Sequence, residues 1–202
     1  KIAGIGTLTF YDTETKTFAA LGHGIYEPET GTLLETKDGK LLNTKVEQIQ
    51  QGRVGSPGAL NGVIFNFETP VGEIIKNTDA GVYGTVVNES QFSAHQPLPV
   101  GTAKEVKEGS AVILTTIDGT QVETFAIEIA KVSHSPLSKS RNIKLKVTDQ
   151  RLLENCGGIV QGMSGSPIIQ DGKLVGAVTH VLVNDPTRGY GIFIENMLDA
   201  AG

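Results

Sequence analysis

The chain has 202 residues, 39% of them hydrophobic, and a formal net charge of −5 from 17 basic and 22 acidic side chains. A chain of this length buries a sizeable core, and all-β chains of this size are often one domain. A mildly acidic balance without long charge runs argues against nucleic acid or an anionic membrane surface as the main partner, and the single cysteine, Cys156, excludes an internal disulfide.

In chain order the pattern predicts short strands almost everywhere. Ile2–Phe10, Lys16–Leu21, Val63–Phe67, Glu73–Ile75, Gly81–Val87, Ala111–Thr116, Thr124–Val132, Ile143–Val147, Pro167–Ile169, Leu174–Leu182 and Gly189–Ile194 are rich in Val, Ile, Thr or aromatics and bounded by turn residues. The Gly, Pro and Ser of Gln51–Gly62 read as a long surface loop. Asp-Gly pairs at Asp118–Gly119 and Asp171–Gly172 predict tight hairpins. Helical pattern is confined to Gln150–Asn155, between a Thr148/Asp149 cap and Gly157–Gly158, and to Glu195–Ala201. Evenly spaced strands with one or two short helices give an all-β class, built as a barrel or paired barrels. No segment reaches the ~18 apolar residues of a membrane span, and no signal peptide opens the chain. The first residue is Lys1 rather than Met, so a mature or excised fragment is expected.

The stretch Gly162-Met163-Ser164-Gly165-Ser166-Pro167, ahead of an apolar strand, carries the chemistry. A hydroxyl becomes a useful nucleophile when a base takes its proton and amide N–H groups stabilise the resulting oxyanion. Glycine beside Ser164 allows the amides of Gly162 and Ser164 to converge on one point. The bland alternative is a β-turn, which favours the same residues. Of the four histidines, His95 and His134 lie in polar loops and His180 lies within a strand. His23 ends an apolar strand and is flanked by Gly22 and Gly24, which open space around its ring. A histidine early and a serine loop late fit a two-barrel serine peptidase.

The loop resembles the G-x-S-G-[GS]-P nucleophile loop of chymotrypsin-fold serine peptidases. More closely, "ALGHGI", "VQGMSGSPIIQDGKLVGAVTHV" and "VNDPTRGYGIFIENML" resemble the stage IV sporulation protein B peptidase family of spore-forming bacteria, over essentially the whole chain. The resemblance implies a chymotrypsin-like fold over residues 1–202, its two barrel halves meeting near residues 95–110. It implies a PDZ domain and a membrane anchor upstream, outside this chain. It also implies a secreted or membrane-anchored serine endopeptidase in the space between forespore and mother-cell membranes. There it would cleave itself and a membrane-bound regulator of an intramembrane protease complex, triggering activation of a late mother-cell sigma factor.

Residue by residue, the resemblance makes Ser164 the nucleophile, His23 the base and Asp149 the orienting acid, although Asp149 also reads as a helix cap. The general two-barrel order, with the acid between histidine and serine, points instead to Asp79, 56 residues after His23 and 85 before Ser164. Met163 stands where zymogens of digestive enzymes carry an ion-pairing Asp, so activation by that pair is not expected. Gly158 occupies the position of the acid that recognises Lys or Arg in trypsin-like enzymes, which predicts no such preference. Thr179 and His180 would line the cleft and offer backbone to an extended peptide.

Rival chemistries fail at identifiable points. The stretch Gly162–Ser166 lacks the final glycine of the G-x-S-x-G elbow. An α/β-hydrolase also needs its catalytic histidine downstream with room for an Asp between, together with helices that are missing here. A Cys156 nucleophile would sit six residues before Gly162, outside the proposed oxyanion hole. No metal or nucleotide motif is present, so no cofactor is expected. A non-catalytic β-rich peptide-binding module remains the alternative to a peptidase.

Overall fold

Period-two burial along consecutive strands builds the second half of the molecule. In the computed structural model, which describes residues 2–202, β8 (Gly109–Thr115), β9 (Glu123–Val132) and β10 (Ile143–Val147) turn Ala111 and Ile113, then Phe125, Ile127 and Ile129, then Ile143, Leu145 and Val147 into one core. With β11 (Pro167–Gln170), β12 (Lys173–Leu182) and β13 (Asp185–Phe193) they close into a six-stranded antiparallel barrel, ordered β10-β13-β12-β11-β8-β9. Closure removes free edges, the usual liability of a sheet. The β11–β12 hairpin turns on Asp171 and Gly172, with φ of 51° and 74°, as an Asp-Gly pair in a type I′ turn requires. Asp118–Gly119 does otherwise: it lies in the longer connection between β8 and β9, where Gly119 bridges to Val46.

The first half is built differently. Strands β1 (Leu8–Asp12), β2 (Thr17–Ala20), β3 (Gly39–Leu41), β6 (Gly72–Thr78) and β7 (Gly81–Val86) form a five-stranded sheet in the order β1-β2-β7-β6-β3. The intervening β4 (Asn43–Gln50) and β5 (Ala59–Phe65) pair only with each other in a ribbon. That ribbon leans on the closed barrel. Val46 exchanges backbone hydrogen bonds with Gly119, and Val46 and Leu60 are buried in the barrel's own core. The fold is therefore all-β and chymotrypsin-like, with one half closed and the other an open sheet plus ribbon. β3 and β4 fall where no strand is predicted, and β5 starts inside the expected loop Gln51–Gly62. Ile2–Thr7 carries no strand ladder; pairing begins at Leu8.

Two helices finish the chain. α1 (Gln150–Cys156) starts at Asp149 and stops at Gly157 in the left-handed region, the common helix exit. α2 (Ile194–Ala201) buries Ile194 and Met197 against Ala19 and Tyr83 of the first half and Ala177 and Ile192 of the second. It thereby seals the seam between the halves, over which the candidate site lies.

Candidate active site

Behind α1 the chain turns at Gly158 and enters a loop held almost continuously by main-chain hydrogen bonds. The amides of Ile159, Gln161, Met163, Gly165 and Ser166 donate to the carbonyls of Pro186, Gly58, Val160, Val178 and Met163. Val160 is one exception; Gly162 and Ser164 are the others, and neither of these two amides has an acceptor among the described residues. Gly162 has a φ of +104°, a conformation that glycine adopts without strain. Met163, between them, points inward and is fully buried. Two free amides flanking a buried methionine are what an oxyanion would need. The Ser164 hydroxyl, half-buried, donates to the Thr179 carbonyl at 3.2 Å.

His23 comes from the other half. After β2, Leu21 and Gly22 both take left-handed φ, 69° and 71°, and swing the chain so that His23 faces the second half. Its Nδ1 lies 2.8 Å from the Gly24 carbonyl oxygen. A carbonyl can only accept, so Nδ1 carries a proton, and in the neutral ring Nε2 is the bare nitrogen. That is the tautomer of a general base. His23 and Ser164 line one cleft of about 250 Å³, together with Ile159, Val160, Gln161, Thr179, His180 and Val181. The serine hydroxyl rests on Thr179 and not on the imidazole, a loose arrangement common where no substrate is bound.

The two aspartates lie in very different places. Asp149 accepts from the amides of Arg151, Leu152 and Ala126, so its carboxylate caps α1 and ties it to β9. In the six-stranded ring β9 stands three strands from β12, on the opposite wall from His180 and the cleft. Asp79 lies in the turn between β6 and β7, where its carboxylate accepts from the Tyr26 hydroxyl. This bond, with some burial, pushes the Tyr26 phenol up to about 12. The neighbouring Thr78 carbonyl sits so close to Gly24 that an added Cβ would meet it at 2.8 Å. Asp79 therefore flanks the histidine loop, and Asp149 does not.

His180 presents its ring 5.4 Å from that of His23, tilted by 37°. Its Nδ1 is buried and has no hydrogen-bond partner among the described residues. Burial first, then the nearby His23 and Arg141 charges, push it down to about 4. At neutral pH it is thus an uncharged wall of the cleft. Thr179 is buried and donates its hydroxyl towards the carbonyls of Ser140 and Tyr190, leaving its own carbonyl to the cleft. Gly158 does not line the cleft; an added Cβ would lie 2.0 Å from the Pro186 carbonyl, so packing against β13 accounts for the glycine. Ile159 and Val160 are the wall residues that spacing from Ser164 could have revealed.

The remaining groups take no part. Burial pushes the Cys156 thiol up to about 11, which leaves it a poor nucleophile. His134 stacks on Phe193 at 5.3 Å, and His95 is exposed. Among the described residues no cluster of three or more His, Cys, Asp or Glu could hold a metal ion.

Among solved structures the chain is similar to the protease Rv3671c. To its inactive form it has 18% identity, covering 70% of this chain and 73% of that one, with a TM-score of 0.46. To the active form of Rv3671c from M. tuberculosis it has 14% identity, covering 98% of this chain and 89% of that one, also with a TM-score of 0.46. No match to a curated protein was found. The family model for SpoIVB peptidase S55 matches residues 1–198, nearly the whole chain, and the protein belongs to that family of serine peptidases.

Proposed function

We propose that Ser164 is the nucleophile of this peptidase, His23 its general base and the amides of Gly162 and Ser164 its oxyanion hole. The observation that carries the reading is the meeting of Ser164 and His23, on loops from opposite halves, across one cleft. On substrate binding, the serine hydroxyl leaves the Thr179 carbonyl and turns to His23 Nε2. That nitrogen takes the proton as Oγ attacks the scissile carbonyl, and later delivers it to the leaving amine. The two free amides receive the negative charge of the tetrahedral intermediate. Water, activated by the same imidazole, then releases the acyl group. Asp79 is the acid this reading assigns, supported by its position beside the histidine loop. Asp149 is assigned to the cap of α1.

The reading extends to a biological role. The chain acts in a sporulation signalling pathway, cutting itself and a membrane-bound regulatory protein in the space between forespore and mother-cell membranes. Its support is the family match and the motifs quoted above. Among the described residues no helix is long and apolar enough to cross a membrane. The neutral wall formed by His180, Ile159, Val160 and Val181 suits an uncharged side chain better than Lys or Arg.

The test is covalent labelling with a fluorophosphonate probe, followed by peptide mapping. Ser164 should carry the adduct, and Ser164→Ala should lose it while unfolding at the same denaturant concentration. An unlabelled, well-folded chain would overturn the assignment of Ser164 in favour of a peptide-binding module.

A further inference from the structure

Just before β1, Thr7 contacts the two segments that carry the proposed chemistry. Its hydroxyl donates to the Gly162 carbonyl at 2.9 Å, and its amide donates to the Ser164 carbonyl at 2.9 Å. Its own carbonyl accepts from the amide of Leu21, two residues before His23, at 3.2 Å. The approach is close enough to constrain the loop's sequence: a Cβ on Gly165 would lie 2.2 Å from the Thr7 carbonyl and 2.6 Å from the Leu21 amide. Gly165 is therefore glycine partly because Thr7 passes there, and its φ of +95° suits no other residue well.

We propose that Thr7 is a positioning residue, which sets the Ser164 amide of the proposed oxyanion hole and holds the nucleophile loop in register with the histidine loop. The inference rests on the assignment of Ser164 above. The Ser164 N–H belongs to the Met163–Ser164 peptide, and Thr7 anchors the peptide plane on each side of it. Holding the Gly162 carbonyl fixes the plane before, and holding the Ser164 carbonyl fixes the plane after. The middle plane is itself held by its Met163 carbonyl, which accepts from the Ser166 amide at 2.9 Å, and the two Thr7 bonds set the planes on which that turn is built. Met163 itself offers no carboxylate through which an ion pair could set the loop. The side-chain bond from Thr7 supplies a constraint of that kind by other means, and it comes from the segment just before β1.

Thr7→Val replaces the hydroxyl by a methyl group at nearly constant shape, leaving the Gly162 carbonyl without its donor. Thr7→Ser keeps the hydroxyl. The measurement is the concentration dependence of fluorophosphonate inactivation, which separates the maximal rate from probe binding, beside a urea unfolding curve. Loss of one hydrogen bond of ordinary strength predicts about a tenfold lower maximal rate for Thr7→Val, with probe binding unchanged. That is less than the roughly 10²–10³-fold cost of removing an oxyanion donor outright. Thr7→Ser should stay within about twofold of the parent. A Thr7→Val chain that reacts at the parent rate overturns the proposal. So does an equal rate loss in both variants that merely follows a lowered unfolding midpoint, because the hydroxyl is then irrelevant. If the parent chain is never labelled at Ser164, the nucleophile assignment fails first and takes this inference with it.

Discussion

The closed barrel and the open half divide the work of the site unequally. The barrel supplies the Ser164 loop, in which five of the amides from Ile159 to Ser166 are spent on main-chain acceptors. The open half supplies His23 and Asp79 on turns of a five-stranded sheet whose edge strands, β1 and β3, have no further partner in that sheet. In the proposed reaction, pre-organisation is thus concentrated where charge develops, as electrostatic stabilisation demands. The proton-moving side is less committed: the serine hydroxyl rests on Thr179, and Asp79 is held by Tyr26. In the proposed mechanism the nucleophile is barrel-borne and the base sheet-borne, and Thr7 links the two loops.

The most severe way to probe that division is to remove the base. His23→Ala should lower probe inactivation by about 10⁴-fold or more, since a serine without its base retains only the oxyanion hole and binding. The same variant should unfold at the parental urea concentration, because His23 is half-exposed and contributes little packing. A large stability loss would mean that the open half depends on this side chain, and the contrast would be weaker than drawn.

Next in size is the pair of aspartates, which separates the halves directly. Asp79→Asn should slow inactivation by about 10²–10⁴-fold with little change in stability, by spoiling the orientation of the imidazole. Asp149→Ala should leave the rate near the parental value but cost about 0.5–2 kcal/mol, the ordinary loss of an N-cap. The reverse pattern, with Asp149 controlling the rate, would show that the barrel reaches the histidine by a rearrangement absent from this structure.

Core truncation sharpens the same comparison in stability. Phe125, fully buried inside the closed barrel, should cost about 3–5 kcal/mol on replacement by Ala. Phe18, equally buried but in a small cluster with Ala20 and Val86, has an open sheet around it that can collapse into the space. Phe18→Ala should fall at or below the lower end of that range. Equal costs, read from urea unfolding, would mean that the open half packs as tightly as the barrel.

Much of this was legible beforehand, for reasons particular residues make plain. Barrel strands such as Ile143–Val147 alternate cleanly because one face is buried, and the Asp171–Gly172 turn follows from its dihedral demands. The Thr148/Asp149 cap was equally readable, and the structure uses Asp149 in that way. β4 escaped because only Val46 is buried in "NTKVEQIQ"; a ribbon with two mostly wet faces has no period-two signal to show. Gly119 misled because a positive φ of 59° serves a bridge to Val46 as well as a hairpin. The site divided likewise. Ser164 and His23 announce themselves through their flanking glycines, although in the structure those glycines answer to close contacts with Thr7, Thr78, Thr179 and Ile192 rather than to open space. Gly158 answers to Pro186, and Thr7 to Gly162, contacts made across the fold that no local pattern encodes.

The smallest expected effect concerns the one residue where the halves meet ring to ring. His180 is held near a pKa of about 4 by burial and by its charged neighbours, against about 6.5 in an unfolded chain. Its folded pKa is the lower of the two, so the unfolded state binds more protons between these values. Stability is therefore undiminished above pH ~6.5 and falls as the pH drops towards ~4. Full burial would make the loss about 3 kcal/mol, and the partial exposure of His180 reduces it to about 1–2. His180→Gln should flatten this part of the stability curve, measured by urea unfolding at pH 7 and pH 5. An unchanged slope would place the acid sensitivity on carboxylates elsewhere. A flattened slope would show that the wall between base and nucleophile stays uncharged in the folded protein, which is the condition for an imidazolium to form on His23 without a second positive charge beside it.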